Sequence, residues 1–272
     1  MTVSYWSGMA GLWRFVGPPL RPAPDDCSIV HSTVLGWCAA HEKAPSVLIL
    51  GVTPELYALD WPAGTQLRAL DCSQEMISSV WPGAPADAIL GGWTAMPLDA
   101  DSFDIVVCDG GLGLLSYPDE QNQLLCEVRR VLAPGGRFIV RLFTPKGRTG
   151  SMDEVLVDLA EKRIASIDVL KLRLWGALHG DKAQGVRLRD VAEQVLSIAG
   201  DLDEFAATHG WTSEHLRSLL LYRESMKTYY LTEVSELVRM ASETPGGFEL
   251  NAITEPGYTL GSCCPIVTLT RV

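Results

Sequence analysis

The sequence predicts an α/β protein built on a doubly wound, mostly parallel sheet, and three observations predict it. Over residues 45–144, short apolar runs recur with helical patterns between them. The runs Val47-Leu48-Ile49-Leu50, Leu67-Arg68-Ala69-Leu70, Phe103 to Cys108 and Arg137 to Phe143 do not alternate, which suits strands covered on both faces. The first three runs are followed by Gly51, Asp71 and Asp109. Repeated strand–helix–strand units give such a sheet, and its ligands sit outside the carboxyl ends of the strands.

Each element follows from local pattern. The first 44 residues read as helical pieces broken at Gly17-Pro18-Pro19 and Pro22-Ala23-Pro24. Tyr5, Trp6, Met9 and Trp13 fall at near-helical spacing there, either as a helix covering the sheet edge or as a flap over a ligand. Ser73 is placed to cap a helix through Met76, Ile77 and Val80. Residues 118–132 put Leu124, Leu125, Val128, Val131 and Leu132 on one helical face, and Pro134-Gly135-Gly136 then turns into the next strand.

Residues 145–246 carry almost no strand signal. Ser151 and Glu154 form a capping box ahead of Val155, Leu156 and Leu159. Leu188, Val191, Val195 and Ile198 form one apolar stripe, and Leu231, Val234, Leu237, Val238 and Ala241 another. About five helices are expected in this block. After Pro245-Gly246-Gly247, strand character returns over Phe248 to Ile253 and Pro265 to Thr270. An adjacent pair of terminal strands would complete the sheet, so the helical block reads as an insertion. The expected organisation is an N-terminal helical cap (1–44), a core (45–144 with 247–272) and an inserted helical lobe (145–246).

Composition narrows the functional classes. The chain has 272 residues, 47 % of them hydrophobic and 20 % charged, which excludes global disorder. A formal net charge of −11 disfavours a nucleic-acid partner and a general anionic-membrane binder. The seven cysteines are odd in number, scattered and without CxxC spacing, so no zinc site or disulfide framework is expected. The N-terminus lacks a basic start, Arg14 interrupts its apolar run, and no stretch reaches the ~20 apolar residues of a membrane span. The expectation is a cytoplasmic protein with a small-molecule substrate and no metal, as a monomer or a homodimer.

The chemistry lies in positions around the strand ends. Asp71 follows Gly51 by 20 residues, Gly92-Trp93-Thr94-Ala95-Met96-Pro97 precedes the third long apolar run, and Arg130 to Gly136 leads into the fourth. Each has a role if a nucleoside lies across the sheet top. A glycine lets backbone approach the ligand, a carboxylate accepts both ribose hydroxyls, and loop amides read an adenine edge.

The order and spacing resemble the class I, Rossmann-like S-adenosylmethionine-dependent methyltransferases, closely over residues 45–144 and loosely over the terminal strands. "LDCSQEM" at 70–76 resembles the acidic loop of that family, "MPLDADSFDIVVCD" at 96–109 its approach to the fourth strand, and "EVRRVLAPGGRFIVRLF" at 127–143 its fifth-strand entry. The resemblance implies an antiparallel terminal strand and methyl transfer from S-adenosylmethionine to a small molecule, with S-adenosylhomocysteine as product. It places the ribose on Asp71, beside Cys72, and the adenine on Met76, Gly92, Trp93 and Thr94. The methionine part falls to Gly51, Val52, Thr53 and Glu55, the sulfonium lies over Asp109, Gly110 and Gly111, and Tyr5 and Trp13 form the flap.

One segment departs from the family. "VLILGVTPEL" puts Ile49 where an acidic residue is usual, and Gly51-Val52-Thr53-Pro54-Glu55 keeps only the first of three glycines. Pro54 has no N–H to donate, and Thr53 and Glu55 add side chains. Gly92 stands where an acidic residue usually precedes the adenine loop. A methyltransferase with its own first-loop chemistry, a non-catalytic methyltransferase-like scaffold, and an enzyme using the cofactor for another reaction all fit these residues. A nicotinamide dehydrogenase fits less well, because Gly-x-Gly-x-x-Gly and a Tyr-x-x-x-Lys pair are missing. In the helical block, Tyr222, Tyr229, Tyr230, His179, His209, His215 and Arg223 are the polar groups to follow, with His209-Gly210 read as a helix end and Cys263-Cys264 as strand packing. No catalytic base is assigned, since methyl transfer to a good nucleophile needs mainly positioning and desolvation.

Overall fold

The computed structural model describes residues 2–145 and 150–272. The block from 145 to 246 is therefore described at 145 and from 150 onward. Seven strands make the main sheet: β1 (Ser46–Leu50), β2 (Gln66–Asp71), β3 (Ala88–Leu90), β4 (Phe103–Asp109), β5 (Leu132–Arg141), β6 (Phe248–Thr254) and β7 (Ile266–Arg271). Their order is β3-β2-β1-β4-β5-β7-β6. The strands from β3 to β5 pair in parallel, and β7 inserts antiparallel between β5 and β6. This is the doubly wound, mostly parallel sheet with an antiparallel terminal strand.

The sheet is central because its inner strands are apolar on both faces. Val47 and Ile49 point to one side, where they meet Val34 and Trp37 of α2 (Pro24–His41) and Met76 and Ile77 of α4 (Gln74–Val80). Leu48 and Leu50 point to the other, against Leu124 and Val128 of α5 (Asp119–Val131). A turn-length helix α3 (Pro54–Tyr57) follows β1. Ser73 caps α4 by accepting the Met76 N–H at 3.3 Å. The Pro134-Gly135-Gly136 turn breaks the β4–β5 register: Phe103 pairs with Leu132 and Ile105 with Arg137. Gly135 takes φ +75°, and a Cβ on Gly136 would lie 2.7 Å from the Ala133 carbonyl oxygen.

The N-terminal segment forms α1 (Thr2–Leu12) and a short 3₁₀ turn, and α1 packs against α4. The later helices are α6 (Met152–Ala160), α7 (Ile167–Leu178), α8 (Leu188–Ala199), α9 (Leu202–His209), α10 (Ser213–Glu224) and α11 (Val234–Glu243). The Ser151–Glu154 capping box opens α6, and Gly210 ends α9 at φ +69°. These are six helices among the described residues, against the five expected, and they do not form one body. Leu237, Met240 and Ala241 of α11 belong to the sheet core beside α5. The helices α6 to α10 share a separate core with Tyr5, Met9 and Val16 of the N-terminal segment. A two-stranded ribbon, Val186–Arg187 with Thr228–Tyr229, ties this lobe together. The sequence reading assigned no strand to β3, which is three residues long and half exposed at the sheet edge.

Candidate active site

One cavity of about 280 Å³ runs across the carboxyl ends of β2, β1, β4 and β5. That volume is near the low end of the roughly 300–1,000 Å³ typical of small-ligand sites. The ends of β2 and β5 stand three inter-strand spacings apart, about 14 Å. The strand ends supply the floor, the N-terminal segment supplies Tyr5, Trp6, Met9 and Trp13, and the lobe supplies Lys171, Trp175, Tyr222, Lys227 and Tyr229.

At the β2 end, the Ser73 N–H donates to Asp71 Oδ1 at 2.8 Å. Burial pushes the Asp71 carboxyl above its ordinary range, against the opposing pull of the Ser73, Val52 and Cys72 amides. The Leu70 carbonyl accepts two donors at 2.8 Å, the Gly51 N–H and the Trp93 indole N–H. The second bond fixes the indole across the gap between β1 and β4. A Cβ on Gly111 would lie 2.8 Å from Trp93 Cζ3, and one on Gly51 3.5 Å from Cζ2. Gly51 also needs its positive φ of +89°. Glycine at these two strand ends thus makes room for a ring of the protein itself.

At the β4 end, Asp109 is not a free carboxylate. Arg141, 2 % exposed, donates to it through Nε at 2.5 Å and Nη2 at 3.0 Å. The same guanidinium donates to the Pro19 carbonyl at 2.8 Å and lies 3.6 Å from Asp26 Oδ2. It therefore locks the loop after β4 to the N-terminal segment. Gly110, at φ +64°, leaves space for Phe143, whose ring would meet a Cβ there at 2.5 Å.

The lobe end is aromatic. Trp175 stacks on Tyr229 (centroids 4.5 Å apart, planes at 30°), and Phe143 meets Trp175 edge-on at 5.5 Å. Lys171, 1 % exposed, donates to Asp168 Oδ1 at 2.9 Å and to Ser218 Oγ at 2.6 Å. Asp168 Oδ2 in turn accepts the Gly17 N–H at 2.7 Å. Tyr5 lies beside Tyr222 (ring centroids 6.4 Å apart), and burial keeps the Tyr5, Tyr222 and Tyr229 phenols protonated far above their ordinary range. Lys227 lies at the opposite end, near Cys72 and Glu120, and burial lowers its ammonium pKa.

A family model described as a methyltransferase domain matches residues 48–140. Over those residues the chain is similar to that domain family. A provisionally named S-adenosyl-L-methionine-dependent methyltransferase of Mycolicibacterium gilvum (strain PYR-GCK) is 29 % identical over 142 residues, 46 % of this chain. The match spans 47 % of that relative, so about half its length is covered. Two solved structures share the fold. A Rhodobacter sphaeroides protein provisionally named a zinc-dependent alcohol dehydrogenase has TM-score 0.59 at 17 % identity, covering 97 % of this chain and 98 % of its own. The PH0226 protein of Pyrococcus horikoshii OT3 has TM-score 0.52 at 17 % identity, covering 94 % and 96 %. Among the described residues, no group of three or more His, Cys, Asp or Glu is placed to hold a metal ion. None of their helices is long and apolar enough to cross a membrane.

The strand ends and the N-terminal segment bring almost every expected cofactor residue to the cavity. Gly51, Val52, Thr53, Asp71, Cys72, Met76, Gly92, Trp93, Thr94, Asp109, Gly110, Gly111, Tyr5 and Trp13 all line it. Glu55 does not: it turns away and pairs with Arg21. Pro54 opens α3 at a first-turn position where no helix N–H is needed. The residues fit the nucleoside half of S-adenosylmethionine, with the Asp71 carboxylate for the ribose diol and a fixed indole for a flat base.

Of the groups followed in the helical block, Tyr222 and Tyr229 reach the cavity, whereas Tyr230, His179, His209, His215 and Arg223 do not line it. His179 is structural: Nε2 accepts the Leu231 N–H at 3.0 Å, which puts the ring proton on Nδ1, facing the Gly180 carbonyl. The sequence reading missed Phe143, Lys171, Trp175 and Lys227. Only Lys171 and Trp175 left a signal, their i, i+4 spacing on α7.

Proposed function

We propose that the protein transfers a methyl group from S-adenosylmethionine to a small-molecule acceptor. One observation carries this reading: a single cavity joins the nucleoside residues Asp71 and Trp93 to the buried aromatic end under the lobe. When bound, the cofactor supplies a methyl group on a sulfonium. Asp71 accepts from the ribose hydroxyls, Trp93 supports the base, and the residues after β4 line the path between the two ends. Methyl transfer is an in-line displacement, so the chain acts by holding the two partners in line and excluding water. The roof of Tyr5, Trp6, Met9 and Trp13 provides the exclusion. The paired states of Asp109 and Lys171 leave positioning as the main task of the site. A cavity this small, on a chain of net charge −11, favours a small acceptor over a nucleic acid.

Calorimetry with S-adenosylmethionine and S-adenosylhomocysteine tests the reading. Both should bind, and Asp71→Ala should weaken each by about 1.5–3 kcal/mol, the scale of hydrogen bonds to a charged group. Absence of binding at millimolar concentration would overturn it.

A further inference from the structure

We infer that the acceptor is an uncharged, planar aromatic molecule carrying a hydroxyl oxygen, seated against Phe143, Trp175 and Tyr229; that oxygen takes the methyl as the sulfonium C–S bond breaks, and the hydroxyl proton passes to water. This rests on the methyltransferase reading, which leaves that end of the cavity for the acceptor.

Polarity decides the class. An anion at this end would meet Lys171, but its ammonium is already held by Asp168 and Ser218 and lies 5.4 Å from the Tyr222 ring centre. A cation would find no free carboxylate, because Asp109 is held twice by Arg141. The Tyr5, Tyr222 and Tyr229 phenols are held protonated by burial, so they offer no charge. An anionic group would be desolvated there without a partner, which costs more than a flat hydrocarbon face gains, and a cation would have ring faces but no counter-charge. Lys227, the other lining cation, feels the charges of Cys72 and Glu120 rather than any group of the aromatic end.

Shape decides the rest. The Trp175–Tyr229 stack and the edge-on Phe143 present flat ring surface, on which a planar ring packs by offset or edge contacts that a puckered ring cannot reproduce. Among the described residues the buried Trp175 indole N–H finds no hydrogen-bond partner, so a ligand oxygen that reaches it satisfies an orphaned donor.

The test is a titration of three probes with S-adenosylhomocysteine saturating: 2-naphthol, trans-decahydro-2-naphthol and 2-naphthoate. The expected result is 2-naphthol binding at least tenfold tighter than either. Trp175→Leu should abolish that preference while S-adenosylhomocysteine still saturates the variant, which shows an intact fold. Trp175→Phe, the milder change, should keep the preference for planarity and weaken 2-naphthol about fivefold through the lost N–H. Equal binding of the decahydro compound, tighter binding of 2-naphthoate, or a preference unchanged in Trp175→Leu would overturn the inference. Failure of S-adenosylhomocysteine to bind the unaltered protein would instead overturn the methyltransferase reading, and the probe preference measured without nucleoside keeps the two failures apart.

Discussion

Gly111 and Gly51 have a role at the residue scale that a motif does not convey. In a glycine-rich first loop the missing side chains let a ligand approach; here they admit the Trp93 ring. Gly111→Ala forces the indole or Cys108 Sγ, 2.9 Å from the new Cβ, to shift. It should cost about 1–3 kcal/mol of stability and weaken S-adenosylhomocysteine binding, read by thermal melting and calorimetry. An alanine variant that binds as tightly as the unaltered protein would remove Trp93 as the support for the base. The sequence made Asp71, Met76 and the glycines legible because strand ends are marked by local residue type. It did not reveal that Glu55 turns to Arg21 or that Asp109 is held by Arg141. Those partners lie more than thirty residues away in the chain and meet only through the fold.

At the scale of elements, the N-terminal segment and the lobe act as one unit. Asp168 at the start of α7 holds the Gly17 N–H with one oxygen and Lys171 with the other. Asp168→Ala leaves the buried Lys171 ammonium without its counter-charge and should destabilise by about 3–5 kcal/mol. The double variant Asp168→Ala, Lys171→Met should be less destabilised than the single one, as measured by denaturant unfolding. Equal loss in both would show that the ion pair is not what Asp168 provides. The expected lobe boundary at residue 246 placed α11 with the other helices because its apolar stripe has the same period as theirs. Period fixes which face of a helix is buried, but not whether a sheet or another helix buries it. In the structure Leu237 and Met240 face the sheet beside α5.

For the whole molecule, Glu236 on α11 joins the sheet layer to the loop before the ribbon. It bonds Arg239 at 2.8 Å, accepts the Tyr117 hydroxyl, and pairs with Lys182 at 2.9 Å. These donors, Arg239 foremost, hold its carboxyl down at about 2. A depressed carboxylate contributes stability that is fully present above its unfolded value near ~4.3. That stability is lost as the pH falls toward about 2. Melting temperature should therefore drop between these limits, and Glu236→Gln should flatten the decline. An identical acid profile in the variant would assign the acid sensitivity to other groups. The parallel inner strands were readable from the succession of apolar runs, though the short edge strand β3 was not. The closure of the cavity was not, because its roof comes from the start of the chain, its floor from the strand ends, and its far wall from α7, α10 and the ribbon.

The composition of that enclosure has a practical consequence. Four of the eight tryptophans, Trp6, Trp13, Trp93 and Trp175, line the one cavity, one or two on each surface. Occupancy is thereby written into the intrinsic emission of the unlabelled protein. With fluorinated tryptophan, four resonances would report separately on roof, floor and far wall as each half of the site fills.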